Sequence, residues 1–239
     1  MWLKITNNYT PNFSSIKRTH HNIKYIVIHY TGMKSESKAL LRLCDKSKKV
    51  SAHYFIKNNG EIINLVPDLY EAWHAGKSRW KNFKSLNKYS IGIEINNPGH
   101  GNRYLEFKYK QIFTLKKLLK ELIRKYKIKK YNILGHSDIA PDRKTDPGEK
   151  FPWEKLAKNN LSIWHNLNKK KIKLLRNKKI KSEEKIKFLK NLKKIGYSMN
   201  IQNKILITKA FQRRFRQDLI NGKIDEECLL ISKNLLKTC

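Results

Sequence analysis

Three side chains that could hold a divalent ion fall in two short segments far apart in this sequence. His29 closes the apolar run KYIVIHYTG, while His136 and, ten residues later, Asp146 belong to NILGHSDIAPDRKTDPG. Two imidazoles and one carboxylate can bind zinc and leave its fourth tetrahedral position open, which separates a catalytic from a structural site. Between these segments SIGIEINN carries a single carboxylate, Glu94, in an otherwise apolar run. A carboxylate that does not bind the metal could act as general base beside it. Each residue also has a plainer reading. Either histidine could be a satisfied core residue, and Asp146 a turn residue before Pro147-Gly148. Two histidines at strand ends, where loops gather and α/β sheets bind ligands, together with a loop carboxylate supply the minimum ligand set. That combination strengthens the zinc reading and leaves the plainer one open.

The elements that must position these residues are visible as changes of period. Tyr25 to His29 reads as a buried strand ended by Thr31-Gly32, and Ser90 to Ile95 as another ended by Asn97-Pro98-Gly99. Ala52 to Ile56 and Glu61 to Val66 flank the turn Asn58-Asn59-Gly60 and predict a hairpin. Ser37 to Val50 looks helical. Ile112, Leu115, Leu119, Leu122 and Tyr126 recur at helical spacing, so Tyr109 to Tyr126 should lie on a sheet with lysines outward. Tyr131 to Leu134 is a last strand running into His136. Strands interleaved with helices predict an α/β domain with a mixed central sheet flanked by helices.

Beyond Trp153 a helical segment is expected towards Asn168, followed by the lysine-dense NKKKIKLLRNKKIKSEEK. Ile186 to Ile195, stopped by Gly196, and Ile205 to Phe215 form two further helices. Asp225 is a candidate N-cap for a third, ending at Leu236. The chain therefore divides into residues 1–170, a basic linker 171–181, and a small three-helix bundle 182–239, near the lower size limit for independent folding.

Bulk composition bounds the rest. A chain of 239 residues with 39% apolar content is globular. It has no run approaching the ~20 apolar residues that span a bilayer. The N-terminus shows no apolar h-region with a small-residue cleavage site, so the chain as given is expected in the cytosol, or in the envelope if a leader is missing. Cys44, Cys228 and Cys239 have no C-x-x-C spacing and suggest neither a disulfide framework nor a thiolate zinc site. The net charge of +34 raises the prospect of a polyanion partner. Yet the charge is mostly lysine, spread through every element, as a general compositional skew would give. Non-specific, salt-sensitive polyanion binding is what the charge itself predicts; specific nucleic-acid recognition is not expected.

The segments YIVIHYTG, VSAHYFI, EAWHAG, SIGIEINN and GHSDIAPDRKTDPGEKFPW resemble, in order and spacing from Ile26 to Trp153, the motif series of zinc-dependent N-acetylmuramoyl-L-alanine amidases. That family joins AmpD-type enzymes, AmiD-type cell-wall amidases and peptidoglycan recognition proteins. KKIGY, ITKAFQRRFR and NGKIDEECLLISKNLL are similar to the helical peptidoglycan-binding module of AmiD-type members. The resemblance implies that His29, His136 and Asp146 bind Zn²⁺, and that Glu94 is the catalytic carboxylate and Lys144 the catalytic lysine. It also implies hydrolysis of the amide between N-acetylmuramic acid, intact or 1,6-anhydro, and the L-alanine of a peptidoglycan stem peptide. Members that only bind peptidoglycan typically lack a ligand. With all three present, the enzyme is favoured over the non-catalytic alternative and over a polyanion binder with a structural metal.

Secondary candidates follow from the same segments. His74 could line the substrate cleft, as the family motif implies, or pack on Trp73 as a loop histidine. Trp73 and Trp80 could stack on sugar faces or belong to the core. His53, within a strand pattern, reads as structural.

Overall fold

The computed structural model describes residues 3–199, 202 and 204–238. Ten strands and eight α-helices occur among them. The strands are β1 (Ile5–Asn7), β2 (Phe13–Ser14), β3 (Tyr25–Tyr30), β4 (Tyr54–Ile56), β5 (Ile62–Asn64), β6 (Glu71–Ala72), β7 (Arg79–Trp80), β8 (Phe83–Lys84), β9 (Ser90–Ile95) and β10 (Ile133–Gly135). The helices are α1 (Glu36–Cys44), α2 (Tyr109–Tyr126), α3 (His136–Ile139), α4 (Trp153–Lys158), α5 (Lys169–Lys173), α6 (Ser182–Ile195), α7 (Lys204–Phe215) and α8 (Glu226–Leu235). Six strands form one mixed sheet in the order β1-β5-β4-β9-β3-β10. The run β4, β9, β3 and β10, which ends at the sheet edge, is parallel, and the hairpin β4–β5 is antiparallel. The expected mixed α/β sheet is therefore present.

Alternation along the strands divides the sheet into two faces. Ile26, Ile28, Ile91, Ile93, Ile95 and Ile133 pack with Leu115, Leu118, Leu119 and Leu122 of α2 in one core. The opposite face has two neighbours. Phe55, Ile63 and Leu65 meet Ala39 and Leu43 of α1. Tyr25, Val27 and Leu134 share a core with Phe188, Leu192, Phe211 and Phe215 of α6 and α7. A sheet covered on both sides needs apolar residues at consecutive positions, which is why β3 reads as an unbroken apolar run.

Two helices are shorter than their sequence pattern suggests. The helix from Glu36 ends at Cys44 because Asp45 leaves the helical region and its carboxylate accepts from Ser47 N–H, starting a separate turn. The segment after Trp153 is helical only to Lys158; Asn160 turns left-handed at φ 59°, and Leu161 and Ile163 are then buried as non-helical chain. The basic stretch 171–181 is packed: Ile172 is buried, Arg176 pairs with Glu227, and Asn177 N–H donates to Asp225. Asp225 caps α8 through Cys228 N–H. Cys44 and Cys228 are free thiols, and Cys239 lies outside the described residues. No helix among the described residues is long and apolar enough to cross a membrane.

Asp68 pins α2 to the sheet. Its buried carboxylate accepts from Tyr54 of β4 (2.6 Å), Tyr126 of α2 (2.6 Å) and Lys125 (2.7 Å). Burial alone would raise its pKa, but these three donors outweigh burial and hold it below the ordinary carboxylate value. Asp68→Ala should lower unfolding free energy by about 2–3 kcal/mol in urea titrations at pH 7. A depressed folded pKa stabilises above the unfolded value of ~3.9 and is lost as pH falls through the folded one. The gap between parent and variant should therefore close in acid; a gap independent of pH would refute this account.

Candidate metal centre

Register decides which side chains meet. On β3 and β9, His29 is paired with Glu94, and on β10 and β3, Gly135 is paired with Ile28. The next residue after Gly135 is His136, so it emerges beside His29, while Glu94 stands on the other side. All three leave the C-terminal ends of parallel strands, where the sheet gives way to loops. The loop after α3 then returns Asp146 to the same point, fixed by Ser137 N–H donating to the Asp146 carbonyl at 2.8 Å.

The His29 and His136 Nδ1 atoms are 2.9 Å apart and lie 3.0 and 3.2 Å from Asp146 Oδ2. This is the group of metal-ligating side chains found among the described residues, and all three members are buried. A tetrahedral ion with bonds of about 2.0–2.1 Å needs donor–donor edges of about 3.3 Å. The three donors thus form one face of such a site.

Hydrogen bonds behind the rings set their tautomers. Ser90 Oγ donates to the Leu86 carbonyl, so it accepts from His74 Nε2 at 3.3 Å. His74 Nδ1 is then the bare nitrogen that accepts from His29 Nε2 at 3.0 Å. His136 Nε2 donates to the Ala75 carbonyl at 3.1 Å. Both ligand rings accordingly turn an Nδ1 lone pair inward, the arrangement that outer hydrogen bonds impose on metal-binding histidines. Burial, and then the neighbouring His136, pushes the His29 imidazole down to about 4. Burial would raise Asp146, but His136 and His29 hold its carboxyl far below the usual range.

Glu94 and Lys144 border the triad in one cleft of about 390 Å³, with Tyr30, Met33, Arg143 and Thr145. Burial, reinforced by Asp146 and opposed by Lys144, raises the Glu94 carboxyl to about 8. Its Oε2 is buried with no hydrogen-bond partner among the described residues. A larger groove of about 700 Å³ lies between β1 and α2. It offers no comparable chemistry, because its buried carboxylate, Asp68, is already saturated by three donors.

The remaining candidates fall elsewhere. His74 borders the cleft, yet both ring nitrogens bond inside the protein. Trp73 is not among the described residues lining the cleft, and its indole N–H faces Ser14 Oγ at 3.4 Å. Trp80 is core, 2% exposed and edge-on to Tyr197. His53 is structural, its Nδ1 accepting from Gly92 N–H at 2.9 Å. Arg143, which no sequence pattern singles out, fastens the loop beside His136 by donating to the carbonyls of Ala75 and Lys77.

Comparison with known proteins bears on the family and the fold. The N-acetylmuramoyl-L-alanine amidase family model matches residues 19–149. N-acetylmuramoyl-L-alanine amidase AmiD of Escherichia coli is 37% identical over 231 residues, 90% of this chain and 83% of that protein. The structure of E. coli AmiD with the substrate anhydro-N-acetylmuramic acid-L-Ala-D-gamma-Glu-L-Lys superposes with a TM-score of 0.80, covering 94% of this chain and 92% of that one at 33% identity. AmpDh3 from Pseudomonas aeruginosa, in complex with anhydromuramic pentapeptide, gives 0.79 at 27% identity, covering 94% of each chain.

Gly92 makes room for the ring behind His29. A Cβ there would lie 2.3 Å from His74 Cγ, so Gly92→Ala must displace that ring. The variant should lose about 1–3 kcal/mol of stability by overpacking. Thermal unfolding checks this, and an unchanged melting temperature would contradict the packing described.

Proposed function

We propose a function from one established premise: the chain belongs to the N-acetylmuramoyl-L-alanine amidase family. The chain hydrolyses the amide between the lactyl carbonyl of N-acetylmuramic acid and the L-alanine of peptidoglycan stem peptides. The anhydro sugar in the AmiD complex supports including anhydromuropeptides with the intact wall among its substrates. The single observation that carries the reading is the buried His29, His136 and Asp146 face beside an unpartnered Glu94 in an open cleft.

We assign zinc to that face, held by two imidazole Nδ1 atoms and Asp146 Oδ2. Two nitrogens and one oxygen suit zinc, and the ring tautomers already expose the required lone pairs. When bound, zinc supplies Lewis acidity that lowers the pKa of water from 15.7 towards ~7 and polarises a carbonyl. Glu94 carries the proton. Its Oε2 accepts it from the attacking water and returns it to the alanine nitrogen, so the amine leaves neutral. Glu94 must be ionised to begin, and nearby positive charge favours that form. Lys144 already pulls in this direction. The Lys144 ammonium also stabilises the charge that grows on the carbonyl oxygen as the tetrahedral centre forms. His74 orients His29 through the Nε2 contact. Lysine on the outer faces of α2 and α6 adds a salt-sensitive attraction for anionic polymer.

Zinc per chain and mass spectrometry of muropeptide products test the assignment together. His29→Ala, His136→Ala and Asp146→Ala should each lose both metal and turnover. Glu94→Gln should retain one zinc while turnover falls about 10²–10⁴-fold. Lys144→Ala should retain zinc and lose about 10²–10³-fold in kcat. A Glu94→Gln protein working at the parental rate would remove Glu94 as base. A parental protein that binds muropeptide without releasing stem peptide would make it a receptor.

A further inference from the structure

The turn that delivers His136 is held from behind by the C-terminal helices. Asp138, two residues after His136, is 1% exposed, and its Oδ2 accepts from Gly135 N–H at 2.8 Å across the junction of β10 and α3. A carboxylate so deeply buried needs partners to saturate it. Both come from the C-terminal module. Tyr197 donates to Oδ1 at 2.7 Å, and Arg214 of α7 donates to Oδ2.

Arg214 is itself 2% exposed, and its other terminal nitrogen donates to the Ile133 carbonyl at 2.9 Å and Ser162 Oγ at 3.3 Å. Its guanidinium lies 4.3 Å from the centre of the Trp153 ring. One side chain thus holds the start of β10 directly, at Ile133, and its end through Asp138. Neighbours of Arg214 reach the second ligand-bearing loop: Gln217, just past the end of α7, donates to the Phe151 carbonyl at 2.7 Å, and Arg213 Nε of α7 lies 3.8 Å from Glu149. The clearance around the turn is small, since a Cβ on Gly135 would lie 2.7 Å from Pro147 Cδ and 3.2 Å from Trp153. A shift of Asp138 is therefore passed to His136 and to the loop of Asp146.

We propose that the C-terminal module is a working part of the metal centre: Arg214 and Tyr197 fix Asp138, and Asp138 fixes the turn that presents His136. These are positioning residues, acting through a metal ligand without touching substrate. The inference rests on the zinc assignment and adds that the module sets the affinity of the site.

The test uses the full chain and measures zinc affinity by competition with a chromophoric chelator, alongside thermal unfolding of the metal-free protein. Arg214→Met should weaken zinc about 10–100-fold, as loss of an outer partner does. Arg214→Lys, which keeps the charge and loses the fork, should fall between Met and the parent. Tyr197→Phe, one hydrogen bond poorer, should weaken zinc about 2–10-fold. If Arg214→Met does not fold, Arg214→Lys and Tyr197→Phe carry the test. Phe188→Leu, cut into the module core against Phe211, should lower the melting temperature and leave zinc affinity unchanged.

Parental affinity in the Arg214 and Tyr197 variants, in a chain whose parent binds zinc, overturns this inference alone. Equal weakening by Phe188→Leu also overturns it, because general destabilisation would then be the cause. A parent that binds no zinc removes the assignment beneath it as well.

Discussion

Parallel pairing of β10, β3 and β9 in one register is the constraint from which the site follows. Parallel neighbours end together, so residues at matching positions leave the sheet side by side and on the same face. With His29 opposite Glu94, and Gly135 opposite Ile28, a ligand is flanked by a second ligand on one side and a carboxylate on the other. A slip of one residue would turn His29 into the α2 core and bring Ile28 to the cleft. The isoleucines packed against α2 oppose that slip. The same hydrophobic pattern that folds the domain thereby sets the coordinates of its chemistry.

Burying three histidines beside two carboxylates would be costly if their protons were free to move. The cost is contained by a run of hydrogen bonds with only one consistent direction, from His29 through His74 and Ser90 to the Leu86 carbonyl. A carbonyl cannot donate, so its position fixes every proton upstream of it. The Ala75 carbonyl does the same for His136, and Arg143 steadies that loop from outside. Loss of solvation also keeps His29 from charging in the absence of metal. His29 is thereby held as a neutral ring with its Nδ1 lone pair turned towards His136 and Asp146.

Much of this was legible in the sequence, and the parts that were not share a cause. The strand ends at His29 and His136 follow from short apolar runs broken by turn residues, and the α2 face follows from helical spacing. Asp146 sits in a loop, where period says nothing; its residue type made it a candidate third ligand beside the two histidines, and the family motif implied that role. His74 shows the harder limit. Its neighbour Trp73 and the following Ala75-Gly76 describe a loop, but the partner that gives it meaning, His29, is forty-five positions away. Arg214 was hidden in the same way. A charged residue on a lysine- and arginine-rich helix reads as solvated, and only the fold reveals that Asp138 draws it inside. Helix lengths erred where a local cap competed with the apolar pattern, as Asp45 does after Cys44.

Two carboxylates of the site, the buried Asp138 and the half-buried Glu94, illustrate opposite solutions to one electrostatic problem. Asp138 is surrounded by donors, including a guanidinium and a phenol, and every oxygen is engaged. Such a group holds structure because any movement breaks several bonds at once. Glu94 has the reverse arrangement, with one oxygen buried and unmet and its proton affinity raised by its surroundings. Native folds rarely leave a buried acceptor without a partner, and the exceptions concentrate where a partner arrives during function. On the proposed mechanism the saturated carboxylate would hold the ligand loop still, while the unsaturated one would take and release a proton. What separates the two is that Tyr197 and Arg214, from the C-terminal segment, satisfy only the first.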